Sequence, residues 1–234
     1  MPHTFVLVHG AWHGGWCWRR VANILRGKGH TVFTPTLTGI GERAHLARPD
    51  VNLSTHIADA ANVIAFEELD DVVLCGHSYG GMVISGVAEV HAPKIRSIVF
   101  LDAFVPRNGE TVSDLTSAAV QGAIRGAVEH GETSLTPRPA EAFGVNPADR
   151  PWVDRLCRPQ PVATFTEKIK LTGAYDRIPR KAYIRAKEYL NPGFDRAYDS
   201  VRGNASWKTY EAPCGHDVMV DRPDWLADVL LAVA

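Results

Sequence analysis

The sequence predicts an α/β fold: a mainly parallel sheet of about six strands, with helices on both faces and a helical cap insert. Three observations carry this reading. Short apolar runs rich in β-formers alternate with longer helical patterns, as a parallel sheet with helical crossovers requires. The first four runs are continuously apolar rather than alternating, which marks strands buried on both faces. The alternation then stops over one long segment and resumes after it.

In chain order, residues 4–8, 31–34, 72–75, 95–101, 182–184 and 207–210 read as strands. Residues 16–26, 55–69, 80–90 and 223–233 read as helices between them. Ser54 and Thr55 offer an N-cap for the second helix, and Gly27 and Gly29 a stop for the first. From about residue 106 to 173 the chain is rich in Ala, Glu, Thr and Pro. It carries weak helical patches at 112–129 and 150–156 and no strand-like run. The expected organisation is therefore a core of residues 1–105 and 174–234, with 106–173 as a helical cap over the carboxyl edge of the sheet.

Composition excludes several classes of function. With 25 basic and 26 acidic residues in 234, no global field attracts nucleic acid or an anionic membrane. The longest apolar stretch, 226–234, is interrupted by Asp228 and falls far short of a membrane span. Cys17, Cys75, Cys157 and Cys214 form no C-x-x-C pair. The start shows no basic segment followed by a long apolar run. These features give the expectation of a cytoplasmic protein with reduced thiols. No phosphate-binding loop, dinucleotide fingerprint or credible ligand cluster is present, so no cofactor or metal is expected.

Three motifs carry chemistry. Gly76-His77-Ser78-Tyr79-Gly80-Gly81 follows a predicted strand and opens a predicted helix. G-x-S-x-G in that context is a nucleophile elbow, a turn so tight that small residues must flank the serine. Val8-His9-Gly10-Ala11-Trp12 ends the first strand. Acyl transfer needs donors aimed where negative charge develops on the carbonyl oxygen. The N–H of Tyr79, after the nucleophile, and that of Ala11 are the best matches. His9-Gly10 also reads simply as a tight turn, and the two readings are compatible. Gly215-His216-Asp217 lies between the last strand and the last helix. A serine hydroxyl needs a base to take its proton, and the order Ser then His makes His216 that base. His9 and His13 have a metal-like spacing, but only on a helix, and Gly14-Gly15 starts a helix poorly.

The run Val6–Trp18, the elbow and Gly215-His216 resemble the plant methylesterase and hydroxynitrile lyase branch of the α/β-hydrolase superfamily, and its bacterial esterase members more closely still. The resemblance spans nearly the whole chain and is weakest in the cap. It implies a cofactor-free serine carboxylesterase acting on small or hydrophobic carboxylic esters. A lactonase or amidase on the same residues, or a low-turnover receptor of the same fold, is the alternative. Lyases of the branch carry Thr at the position of Ala11 and Lys directly after the histidine. Here Asp217 follows His216, and an acid beside the base opposes a departing cyanide.

The acid that orients His216 has two candidates. The plant relatives place an aspartate after the penultimate strand, where this chain has none and Glu188 is nearest, with Asp195 and Asp199 in a helix beyond. Asp102 ends the apolar run Ile98–Leu101, whose carboxyl end should face the same crevice as the nucleophile. There a buried carboxylate needs a partner, and His216 would supply one, so Asp102 is preferred. It also reads as a cap for the turn at Ala103–Val105. Trp12 and Phe104 follow strand ends beside the site and read equally as substrate-binding or core, whereas Trp16, Trp18 and Trp207 read as core. Glu110 and Asp114 read as solvated surface.

Overall fold

The computed structural model describes Met1–Ala234. Six strands form one wholly parallel sheet: β1 (Thr4–Val8), β2 (Thr31–Phe33), β3 (Val72–His77), β4 (Ile95–Leu101), β7 (Arg180–Ala186) and β8 (Trp207–Ala212). Their spatial order is β2-β1-β3-β4-β7-β8. Every residue of β3, and all but one of β1 and of β4, is buried, whereas β8 at the edge buries only its last residue. This is why the central strands read as unbroken apolar runs and the edge strand does not. The two later strands run longer than their apolar residues suggest, because Arg180, Lys181 and Arg185 all lie within β7.

Helices α1 (Arg19–Gly27), α2 (Leu53–Phe66) and α3 (Gly80–His91) connect the first strands. Residues Gly15–Trp18, expected as the first turn of α1, form a separate 3-10 turn. The cap of α2 also differs from expectation. Asn52 accepts from the Thr55 N–H at 3.0 Å, and the Thr55 side chain faces back to the Asn52 N–H, completing a capping box. Ser54 instead bonds Glu167 of the cap region through both its N–H and its hydroxyl.

Between β4 and β7 the chain leaves the sheet. It forms α4 (Val112–Leu115), α5 (Ala118–Glu129), α6 (Arg150–Leu156) and α7 (Ala163–Thr166). The helical insert also carries a short ribbon, although the sequence shows no strand-like run there. β5 (Ser134–Leu135) and β6 (Gln160–Pro161) pair antiparallel, Ser134 with Pro161 and Leu135 with Gln160. Two-residue strands are too short for any alternation to show in sequence. After β7 come α8 (Pro192–Val201), α9 (Val218–Asp221) and α10 (Pro223–Val233). A single apolar core unites sheet and insert, because Ile124, Phe143 and Phe165 belong to the same buried cluster as Leu7 and Val99. No helix is long and apolar enough to cross a membrane.

Replacing the cap of α2 tests the local reading. Asn52→Ala should lower the unfolding free energy by about 1 kcal/mol, seen as an earlier urea midpoint. A loss from Ser54→Ala with none from Asn52→Ala would return the cap to Ser54.

Candidate active site

Three neighbouring strands end in residues whose backbone occupies the left-handed region. Trp12 follows β1 with φ 64°, Ser78 follows β3 with φ 55°, and Asp102 follows β4 with φ 42°. Non-glycine residues rarely adopt such values, and they cluster where the surroundings over-determine them. At Ser78 the surroundings are glycines. A Cβ on Gly76 would lie 2.5 Å from the Gly80 carbonyl oxygen, and one on Gly81 only 2.1 Å from that of Phe104. The turn is therefore closed by direct backbone approach, with Ser78 N–H donating to Leu101 and the Ser78 carbonyl accepting from Gly81 and Phe104.

Asp102 is fully buried, and both its oxygens are engaged. Oδ2 lies 2.6 Å from His216 Nδ1. Oδ1 accepts from Arg185 Nη1 at 2.7 Å and from the Ala186 N–H at 3.1 Å. The buried carboxylate thus has a cation and two further donors, which offset its desolvation. Glu188 is exposed. Asp195 binds Arg185 at 2.8 Å, and Asp199 pairs with Arg202, so neither contacts His216. The sequence does not reveal Arg185, because the predicted strand stops at residue 184 and its partner Asp102 lies 83 residues away in the chain.

The His216 ring is held by its faces. Phe194 stacks on it at 5.1 Å and Tyr189 at 4.6 Å between centroids. The backbone N–H of His216 donates to the Phe143 carbonyl of the insert at 2.8 Å, and the His216 carbonyl accepts from His77 Nε2 at 3.1 Å. Ser78 and His216 line one cavity together with Ala11, Trp12, Tyr79 and Phe104. No hydrogen bond joins Ser78 Oγ to His216; contacts between a nucleophile and its base often tighten only when substrate binds. The Ala11 and Tyr79 N–H groups donate to no protein acceptor. The Tyr79 hydroxyl is fixed by His56 Nδ1 at 2.8 Å.

The insert closes the cavity with Val112, Val120, Phe143 and Phe165, and Arg138 is the cation in its wall. Trp12 ties the two parts together. Its N–H donates to Gln160 Oε1 at 2.9 Å, its indole N–H donates to the Leu135 carbonyl at 3.1 Å, and its own carbonyl accepts from Arg158. Of the other tryptophans, Trp18 is fully buried, while Trp16 and Trp207 are half-buried against the core. Asp114 is exposed, as expected, and it also completes a capping box with Thr111 at the start of α4.

Four buried histidines surround the site. His9 donates from Nδ1 to the Gly10 carbonyl and accepts the Leu37 N–H at Nε2, so the ring is neutral. Burial pushes it down to about 3. Burial likewise pushes His56 to about 4, and holds His77 well below the ordinary histidine value with help from His216. His13 differs. It faces the Ala11 carbonyl with Nδ1 and the Asp217 carboxylate with Nε2, at 2.7 and 3.1 Å. Both partners are acceptors, so both nitrogens must carry protons. Burial opposes that charge, but Asp217 and these bonds outweigh it and raise His13 above its ordinary value. Burial would raise Asp217, yet His13 first, then His77 and His216, hold it at about 2.

Asp217 therefore does not act as the sequence suggested. It is buried in an ion pair with His13 and does not line the cavity. No lysine lines the cavity. The His9–His13 metal spacing also finds no site, since the two rings have separate partners. His77, His216 and Asp217 bring possible ligand atoms within 4.8 Å of one another. A metal there would have to displace the bonds of His77 to the His216 carbonyl and of His216 to Asp102.

Residues 5–229 match the model of the alpha/beta hydrolase family. The chain belongs to this family. It is 47% identical over 243 residues to the carbendazim hydrolyzing esterase of Nocardioides sp., covering 98% of this chain and 99% of that one. It is 36% identical over 107 residues, 44% of the chain and 41% of the relative, to the alpha-hydroxynitrile lyase of Arabidopsis thaliana. An extracellular alpha/beta-hydrolase from a Paenibacillus species superposes with a TM-score of 0.87 at 28% identity, over 100% of this chain and 99% of that one. The bacterial esterase resemblance, the fold and the ester-hydrolysing activity expected from the sequence all stand. The cytoplasmic location is corrected, because the Paenibacillus enzyme with this fold is extracellular. All four thiols are buried and unpaired, where they pack as small apolar groups, so they say nothing of the compartment.

The buried neutral histidines make stability depend on pH. His9 and His56 take up protons near pH 6.5 when unfolded, but only near 3 and 4 when folded. The unfolded chain binds more protons in that window, so stability falls as pH drops from about 6.5 towards 4. His13 acts with the opposite sign, its contribution being lost as pH rises past its folded value. Thermal melts should show a lower midpoint at pH 5 than at pH 7; equal midpoints would contradict this balance.

Proposed function

We propose that Ser78, His216 and Asp102 form the catalytic set of a serine carboxylesterase. The observation that carries the reading is the 2.6 Å contact from Asp102 to His216 Nδ1, at the cavity that also exposes Ser78. The Nδ1–H donates to the carboxylate, which leaves Nε2 unprotonated and available as a base. Ser78 Oγ attacks the ester carbonyl carbon as His216 Nε2 takes its proton. The oxyanion then forms against the free N–H groups of Ala11 and Tyr79. Collapse expels the alcohol, which leaves with the proton from His216, and an acyl group remains on Ser78. Water, deprotonated by His216, adds to that acyl carbon, and collapse releases the acid and restores Ser78.

Residues 106–173 serve as the cap in this reading and select the substrate. Its wall of Val112, Val120, Phe143 and Phe165, with Trp12 and Phe104 from the core, favours small or hydrophobic esters. Carbendazim, named in the Nocardioides relative, is the first compound to assay beside aryl, methyl and lactone esters. With Ala11 in place of the lyase threonine and no lysine in the wall, hydrolysis is favoured over cyanide release.

Ser78→Ala should abolish hydrolysis in a folded protein, and a fluorophosphonate should label Ser78 of the parent enzyme. Near-parental turnover in Ser78→Ala would overturn the assignment. Asp102→Asn should lower kcat by up to about four orders of magnitude, because the histidine takes the wrong tautomer. Glu188→Gln should leave kcat within a factor of about two, and a loss confined to that variant would make Glu188 the acid. Exhaustive chelation should leave the rate unchanged; inactivation by EDTA with recovery on adding zinc would contradict a metal-free mechanism.

A further inference from the structure

Ala11 and His216 sit at opposite ends of the sequence, on the loops after β1 and β8. In the sheet these strands are separated by β3, β4 and β7, so no ladder of backbone bonds fixes one loop to the other. One side-chain chain does cross the gap. His13 Nδ1 donates to the Ala11 carbonyl at 2.7 Å, and Nε2 donates to Asp217 Oδ2 at 3.1 Å. Asp217 directly follows His216. His13 and Asp217 are 2% and 0% exposed, so solvent does not compete for these bonds. The His13 ring is further held by stacking on Trp16 at 5.3 Å.

We infer that the His13–Asp217 pair is a positioning clamp, which fixes the Ala11 N–H relative to His216 so that oxyanion donor and general base keep their shared geometry through turnover. The inference rests on the proposed roles of Ala11 and His216. Two further observations support it. The bond to the Ala11 carbonyl acts one residue from Trp12, whose φ of 64° must be held by its surroundings. Asp217 Oδ1 and His77 Nδ1 are buried without hydrogen-bond partners. Such unsatisfied groups are costly in a merely structural interior and gather where geometry serves a function. Burial opposes charge on both residues, but each holds the other ionised: Asp217 raises His13, and His13 depresses Asp217.

The test uses Asp217→Asn and His13→Gln, each checked by thermal melting and by fluorophosphonate labelling of Ser78. Kinetics on a p-nitrophenyl ester are compared with inhibition by an alkyl trifluoromethyl ketone, which forms a tetrahedral oxyanion on a reactive serine. A displaced donor weakens the transition state more than the bound ester. Asp217→Asn should therefore lower kcat by about tenfold or more and weaken ketone binding by a similar factor, with KM within about twofold. The double variant should lose no more than the more damaging of the two single variants, because the residues act as one unit. Unchanged kcat and ketone affinity in either folded variant would overturn the clamp, as would a change in KM alone. If Asp217→Asn does not fold, His13→Gln decides by the same criteria. Failure of the parent enzyme to label at Ser78 would instead overturn the catalytic reading itself.

Discussion

The turn at Ser78 is the constraint on which the rest of the site depends. A left-handed serine between β3 and α3 is held where backbone from the end of β1, the loop after β4 and α3 itself comes close enough to leave no room for a Cβ at Gly76, Gly80 or Gly81. That closeness fixes where the loops after β1 and β4 can run. Trp12 and Asp102 then take strained backbone conformations of their own beside it. Strain of this kind costs about 1–3 kcal/mol at each residue, and the shared apolar core is what supports it. Order in the site is thus bought by packing elsewhere.

Polar groups behind the reactive surface divide into neutral and charged sets. His9, His56 and His77 remain neutral because burial removes the water that would solvate their charge. His13 is charged because both of its nitrogens face acceptors and one of these is a carboxylate. Asp102 and Asp217, the two buried acids flanking His216, are separated by their partners. Asp102 shares itself between His216 and Arg185, while Asp217 is neutralised by His13. The same type of residue therefore does different work according to the groups it meets.

The insert is joined to the core by directional bonds as well as by apolar contact. Trp12 bonds Gln160 and Leu135, and His216 bonds Phe143. Movement of the insert would therefore be felt at both the oxyanion loop and the base. The cavity wall is shared between the two parts, with Phe104 and Phe194 from the core facing Val112 and Phe165 from the insert.

Much of the core fold was legible in sequence. Buried parallel strands write themselves as unbroken apolar runs, and Gly76–Gly81 with Gly215-His216 mark turns whose close approach admits no larger residue. The short ribbon of β5 and β6 was not legible, because two-residue strands have no period. Asn52 as the cap was missed because Ser54 and Thr55 are equally good capping residues, and only the path of the chain selects among them. The sequence alone placed a carboxylate at the end of β4. Its contact with His216, its sharing with Arg185 and the pairing of Asp217 with His13 were decided by the tertiary structure. Side chains distant in sequence meet only where the crossing order of the strands brings their ends together, and no local pattern encodes that order.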